Sequence, residues 1–527
     1  MAKNTLKTTT NPNHQDFFWP YNHQDIQKRI NLWVQDLCAL AFEIQKTQSD
    51  QKTKLNGGAL ILVNILKWQP VMVQAMQTLI LKQGFEKAEK NPLIDPQTMP
   101  LWQRYVHTDL PLEDGRYLKA LFKGPPTEPL WKTTLKYARD CIENRPIITK
   151  PSTFYNPNKD LTLTVSCPAA QIYCEDLKKR GVYMGLEHWF SGVREQDIGA
   201  RKDPVIEQVL EITWKHLRAV CVLEPRMQNW VERQIRLSYH ITDILAETVM
   251  KAPSRLPKQL IAGITAPWAI LFRYLVHKNG GDVIVFDHGA GAVLSFPTTT
   301  YLNYVLGSTA FYTYTSYAAA HYKNKIERHT PFSDNQTRIE GHKALRPVNH
   351  DTANQHASIA NKKIMLIPFY DMRDYNLSYG YPAWRPALDF NQNLVSRLKT
   401  LGYDIALKFH PEFYIAPDAE LRKLYGECHI IREPFEHVMD QYQSIVTCDA
   451  NSSTFISIVL KNKPCIVFDF LNLSDGALKK DMRQRLEVIP VTVSPDNRLI
   501  QQDPISEIHF KRAREKAKSQ ALKALYL

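Results

Sequence analysis

No apolar run in this chain approaches the ~20 residues that cross a bilayer. The longest, such as Ala59 to Leu66, fall well short, so no membrane span is expected. The opening residues, Met1-Ala2-Lys3-Asn4-Thr5, are polar and lack the apolar core of a secretory signal. Paired cysteines are missing as well. The eight cysteines (Cys38, Cys141, Cys167, Cys174, Cys221, Cys428, Cys448, Cys465) are scattered, and none forms a C-x-x-C pair. Several sit inside apolar runs, where a thiol behaves as a small hydrophobe. That argues against a disulfide framework and a zinc site. A dense basic-aromatic stripe is absent outside the tail and no nucleic-acid-binding module is recognisable, so no nucleic-acid partner is expected. These absences point to a cytoplasmic chain.

A length of 527 residues exceeds what one compact core supports, and two or more domains are expected. Hydrophobic residues at 44% and charged residues at 23% are the shares of an ordinary globular protein. The net charge of +13 suits a polyanionic substrate, an anionic membrane surface or nucleic acid, and charge alone does not choose among them.

Residues 1–15 are polar and read as disordered. From Asp25 to Thr47, apolar positions recur at helical spacing (Ile26, Ile30, Trp33, Leu37, Leu40, Ile44). Ala59 to Leu66 reads as a strand and Val71 to Gln83 as a helix ending at Gly84. Prolines recur between Asn91 and Pro168, where no element is placed. Helices follow at about 205–223 and 227–251. The texture then changes to strand (260–264), helix (267–277), turn (Asn279-Gly280-Gly281) and strand (283–286), the grammar of a doubly wound sheet. Residues 326–361 are polar and histidine-bearing without ligand spacing, and read as a linker. From 362 to 500 strands and helices alternate with short connections, which implies a parallel sheet with right-handed crossovers. Residues 501–527 read as a basic helix. The first domain then covers 16–325, with its Rossmann-like part at about 255–325.

Two segments of the second unit stand out. Lys408-Phe409-His410-Pro411-Glu412 leaves a histidine where an apolar strand ends. Asp449-Ala450-Asn451-Ser452-Ser453-Thr454 leaves small hydroxyl residues where a helix begins. Ligands of open α/β sheets bind outside the carboxyl ends of the strands. A helix start rich in Ser and Thr offers N–H groups and a positive dipole end to an anion. Together they suggest a pocket for a phosphate or diphosphate, hence a nucleotide-activated donor. Taken singly, each has a plainer account: Ser452 or Ser453 as an ordinary helix cap, His410 as a turn residue, His288 as a loop residue.

The order Asp287-His288-Gly289-Ala290-Gly291, then Lys408-x-His410-Pro411, then Ser452-Ser453 before a helix and Lys463-Pro464 before a strand resembles GT-B transferases of bacterial surface carbohydrate. These are capsule and lipopolysaccharide glycosyltransferases, with the CDP-glycerol glycerophosphotransferases as relatives. The resemblance covers roughly residues 256–475. It implies two Rossmann-like domains facing across a cleft, after a largely helical N-terminal region, with the nucleotide against the second and the acceptor against the first. It also implies His288 as catalytic base and His410, Ser452 and Ser453 on the donor phosphates. Asp287 stands where relatives often carry a neutral or aromatic residue, so either Asp287 is the base or it orients and charges His288.

The chemistry needs such residues. An acceptor hydroxyl loses its proton as the new bond forms, and a histidine with pKa near ~6.5 suits that task at neutral pH. Gly289 and Gly291 would let the acceptor loop approach substrate closely. Charge growing on the leaving phosphate calls for fixed donors, a role in which Lys408 joins His410, Ser452 and Ser453. Glu433, Pro434 and Phe435 follow a strand where related folds lay the nucleobase; a hydrophobic helix start accounts for them equally. The basic tail either docks on anionic lipid at the inner membrane face or packs back onto the first domain. The reading that results is an inverting sugar transfer from a nucleotide-activated donor to a surface glycan or lipid-linked precursor, with no cofactor and no metal. Glycerophosphate transfer from CDP-glycerol, a sugar-nucleotide epimerase and a non-catalytic assembly scaffold are the alternatives.

Overall fold

The computed structural model describes residues 23–48, 55–87, 148–149, 156–164, 168–184, 203–262, 267–287, 297–329, 337–345, 362–369, 384–409, 418–448, 454–470, 476–494 and 498–527. The chain is α/β and GT-B-like, with two seven-stranded sheets flanked by helices.

The first sheet comprises β1 (Ile148–Thr149), β2 (Leu161–Leu163), β3 (Gly181–Tyr183), β4 (Gln259–Ile261), β5 (Asp282–Phe286), β6 (Ala310–Thr313) and β7 (Arg338–Gly341). They lie in the order β1-β3-β2-β4-β5-β6-β7, and every pairing is parallel. It therefore begins about a hundred residues earlier than the 255–325 expected for it, and its last strand lies inside the stretch read as a linker. β7 escapes detection because it is a solvent-exposed edge strand, Arg-Ile-Glu-Gly, with no apolar run to mark it.

Helices α1 (His23–Thr47), α2 (Gly57–Lys87), α3 (Pro168–Asp176), α4 (Pro204–Arg218) and α5 (Pro225–Met250) precede β4. α2 replaces the strand expected at Ala59–Leu66. That run is buried among α1, α4 and α5 except at the half-buried Leu66, and a segment apolar at seven of eight positions has no period to separate strand from buried helix. α1 and α2 pack so closely that a Cβ on Gly58 would lie 2.2 Å from the Ala41 carbonyl oxygen. Polar pairs fix the register of the block. Trp33 Nε1 donates to Thr213 Oγ1 (3.2 Å), and Thr242 Oγ1 donates to Asn64 Oδ1 (2.9 Å). α6 (Pro267–Lys278) links this helical block to the sheet, and α7 (Ser316–His329) packs against β6 and β7.

The second sheet comprises β8 (Lys363–Ile367), β9 (Asp404–Lys408), β10 (His429–Ile431), β11 (Ser444–Thr447), β12 (Cys465–Asp469), β13 (Glu487–Val493) and β14 (Leu499–Gln501). Their order is β10-β9-β8-β11-β12-β13-β14, with only β14 antiparallel. In order of appearance this is 3-2-1-4-5-6 plus a reversed edge strand, the dinucleotide-binding arrangement. α8 (Trp384–Thr400), α9 (Asp418–Tyr425), α10 (Thr454–Leu460) and α11 (Gly476–Arg485) complete the crossovers.

The tail is not one helix. β14 is followed by α12 (Glu507–Lys516), whose Phe510 and Ala513 are buried on the second sheet, with Phe510 stacked on Tyr403 at 4.2 Å. A further turn, Lys523–Leu525, packs against α7 of the first half. The apolar side of the tail is thus used for packing, while Lys511, Arg512 and Arg514 remain exposed. Among the described residues no helix is long and apolar enough to cross a membrane.

Candidate functional site

In the second sheet the strand order reverses between β8 and β11, and the carboxyl ends of these two strands border the crevice where such folds take ligands. The main chain leaving β8 is held from both sides. Asn391 of α8, fully buried, accepts from the Phe369 N–H and donates to the Phe369 carbonyl, each at 3.0 Å. The Phe369 ring packs edge-on to Phe390 and Phe470 at 5.2 and 6.0 Å. Sequence reading missed Asn391, an ordinary polar residue in a helix pattern whose partner exists only in the fold.

β9 brings Lys408 to the neighbouring carboxyl end. Its side chain is buried, and Nζ donates to the adjacent Phe409 carbonyl at 3.0 Å. Burial lowers the pKa of this ammonium; the nearby Glu436 and Glu433 oppose the shift and Arg432 adds to it. A cation whose folded pKa is depressed carries its penalty below that pKa. The unfolded chain binds the extra proton up to about 10.5, so the penalty is relieved as pH rises toward that value. Lys408→Met is therefore expected to be relatively more stable at neutral pH than at pH near 10. Urea unfolding of both proteins across that range checks this, and a pH-independent difference would count against it.

Glu433 is exposed and accepts the Arg432 N–H at 3.1 Å; main-chain hydrogen bonds hold its carboxyl below the usual range. Pro434 precedes the helical turn Phe435–Val438. Phe435 is 3% exposed and lies in the core, which is the helix-start account of this residue. Its ring is turned into the core, and of this trio Glu433 and Pro434 are exposed.

In the first sheet, β5 delivers Asp287, whose N–H extends the ladder to the Tyr312 carbonyl at 2.8 Å. The side chain is 3% exposed. Its Oδ2 accepts from the Tyr322 hydroxyl of α7 at 2.8 Å and from Thr313 Oγ1 at the end of β6 at 3.1 Å. Burial first, and the Asp287 charge second, push the Tyr322 phenol well up, which keeps it a donor. Thr313 and Tyr322 were not singled out in the sequence. Reading β6 as the strand after β5 would have exposed Thr313; Tyr322 leaves no such signal.

His288, Gly289, Gly291, His410, Ser452 and Ser453 lie outside the described residues. The described elements that adjoin them in the chain are β5, β9 and α10, the last a helix of seven residues. Two loops expected to bind donor thus follow β9 and β11, the strands on either side of β8, and the loop expected to bind acceptor follows β5 of the other sheet.

No family model matches the chain, and no curated protein does. Solved structures that resemble it include S. aureus MnaA in a co-structure with UDP, at 15% identity and a TM-score of 0.31, over 51% of this chain and 67% of that one. Another is UGT2 of Phytolacca americana, complexed with UDP-2fluoro-glucose and pterostilbene, at 9% identity and a TM-score of 0.35, over 69% of this chain and 88% of that one. At such scores residue-by-residue correspondence is not defined.

A cavity of about 620 Å³ opens where α1 meets the carboxyl side of the second sheet. Lys28, Asn31 and Gln35 of α1 face Asp469, Lys479 and Arg483 across it. It flanks β12 and β13, beside the β8/β11 reversal, and none of the residues singled out in the sequence lines it. α1, which its periodicity marks only as a helix, supplies one wall. Among the described residues no group of three or more His, Cys, Asp and Glu is placed to hold a metal ion.

Proposed function

We propose that the chain is a glycosyltransferase that moves a sugar from a nucleotide-activated donor to a bacterial surface glycan or its lipid-linked precursor, with inversion at the anomeric carbon. The observation that supports this most is the strand order of the second sheet, in which β9 and β11, the strands that precede His410 and Ser452-Ser453 in the chain, lie on either side of its first strand. The reaction calls for an acceptor loop across from that crevice, and Asp287-His288-Gly289 follows β5 of the first sheet in the chain.

The buried position of Asp287 divides the roles. Its carboxylate is engaged by two hydroxyls, which suits holding the strand end, whereas a base must reach substrate. We therefore assign proton removal to His288 and orientation of the loop to Asp287. His410, Ser452 and Ser453 take the donor phosphates and steady the charge that grows there as the sugar leaves. Glu433 and the main chain beside it are left to meet the base.

Thermal unfolding with CMP, CDP, UDP and GDP tests the donor half of this reading, using wild type and His410→Ala. A nucleotide at about 100 times its Kd stabilises the fold by ~2.7 kcal/mol. One nucleotide is expected to raise the midpoint in wild type and not in the variant. A response to CDP combined with transfer from CDP-glycerol would redirect the reading to glycerophosphate transfer. No response to any of them would sink the donor pocket.

A further inference from the structure

The chain crosses from the second sheet back to the first in a short segment that ends beside Asp287. Leu522, Leu525 and Tyr526 are 4%, 2% and 2% exposed and share the core that includes Tyr314, Ala318 and Tyr322. Thr315 makes the joint. Its hydroxyl donates to the carbonyls of Ala524 (2.8 Å) and Leu525 (3.2 Å), and its oxygen accepts the Ala318 N–H (3.1 Å) in the first turn of α7. Tyr526 sets its ring perpendicular to Tyr314 at 5.6 Å. Tyr314 and Thr315 directly follow Thr313, which holds Asp287, and α7 carries Tyr322, which holds it too. Burial first, and the Asp287 charge second, push the Tyr526 phenol up, so the ring lies within the field of that carboxylate.

We propose that residues 522–526 are a positioning element for Asp287 at the end of β5. Seated on Tyr314, Thr315 and α7, they close the surroundings of Asp287 and hold that carboxylate and the end of β5 in place. The first sheet's part of the site is completed by a segment that the second sheet carries to it. Tyr526 acts through Tyr314 and Asp287 and touches no substrate. The catalytic consequence rests on the transferase reading above; the dependence of the Asp287 strand on the seated segment does not.

The test uses the full chain and three variants: Tyr526→Ala, Tyr526→Phe, and the milder Thr315→Val, which removes the hydroxyl joint and keeps the volume. Amide hydrogen exchange of residues 282–287 and 310–315 is measured alongside kcat and KM for the donor. Tyr526→Ala and Thr315→Val are expected to speed exchange in both segments and lower kcat about ten- to a hundredfold, as loss of alignment does, with donor KM within about twofold. Tyr526→Phe keeps the ring and should restore most of both. Unchanged exchange in Tyr526→Ala and Thr315→Val overturns the proposal. So does faster exchange with unaltered kcat. If wild type transfers from no nucleotide sugar, the transferase reading fails and exchange alone decides whether the segment holds the Asp287 strand.

Discussion

Replacing His288 by alanine is expected to slow transfer by about 10²–10⁴-fold, the contribution a positioned base typically makes, while nucleotide still stabilises the protein. The separation follows from the architecture. His288 follows β5 of the first sheet, and the loops proposed to bind donor follow β9 and β11 of the second, so loss of the proposed base is expected to leave nucleotide binding intact. Asp287→Asn sharpens the comparison. An amide oxygen can still accept from Tyr322 and Thr313, so holding persists in part and a smaller loss is expected. Were Asp287 the base, the ranking would invert, with Asp287→Asn as damaging as removal of the base. Single-turnover rates on saturating donor, read together with nucleotide-dependent midpoints, distinguish the two. A His288→Ala protein that keeps wild-type turnover would refute the assignment and bring forward the scaffold alternative.

Arg273→Met should cost about 3 kcal/mol or more in folding stability. Arg273, on α6, is fully buried, and its guanidinium donates to the carbonyls of Leu302, Asn303 and Leu306 (Nε to Leu306 at 2.7 Å). Burial lowers the proton affinity of the group, so the charge is itself costly; the carbonyl dipoles offset that cost. Methionine fills the stem but supplies no donor. Each buried acceptor that loses its partner costs about 1–3 kcal/mol, and three such losses outweigh what is regained by removing one buried charge. The effect bears on the site as well. The three carbonyls belong to the turn over Tyr301–Val305 and the residue that follows it, which lead into β6, the strand that ends in Thr313. Urea unfolding of the transition that includes the first sheet measures the cost, and a loss below about 1 kcal/mol would show that the clamp is ornamental.

The second sheet was largely legible from sequence because β8, β9, β11 and β12 are strands of four or five residues built on apolar stretches (Ile364–Ile367, Ile405–Leu407, Ile445–Val446 and Cys465–Phe468) joined by short helices. Burial on both faces writes itself directly into composition. The first sheet was not. β1, β2 and β3 are two or three residues long, too short for any period, and α4 and α5 separate β3 from β4. β6 was within reach, since Ala-Phe-Tyr-Thr follows the β5 segment in the usual rhythm. Of the site, Asp287 and Lys408 could be found as residues at strand ends. Their surroundings could not, because Tyr322, Asn391 and Tyr526 come from helices and from beyond the second sheet. The buried ring of Phe435 shows the limit from the other side: a residue in the right place along the chain can still point inward.

The seating of residues 522–526 on α7 imposes an order on biosynthesis. Domains generally fold as units while the chain is still being made, the earlier one first. Here the buried cluster that holds Tyr314, Ala318 and Tyr322 of the first half also includes Leu522, Leu525 and Tyr526, which the ribosome adds only after every strand of the later sheet. The surroundings of Asp287 are therefore complete only once the second half has been synthesised, and a nascent chain interrupted anywhere in between lacks the residues that seat on Tyr314 and Thr315.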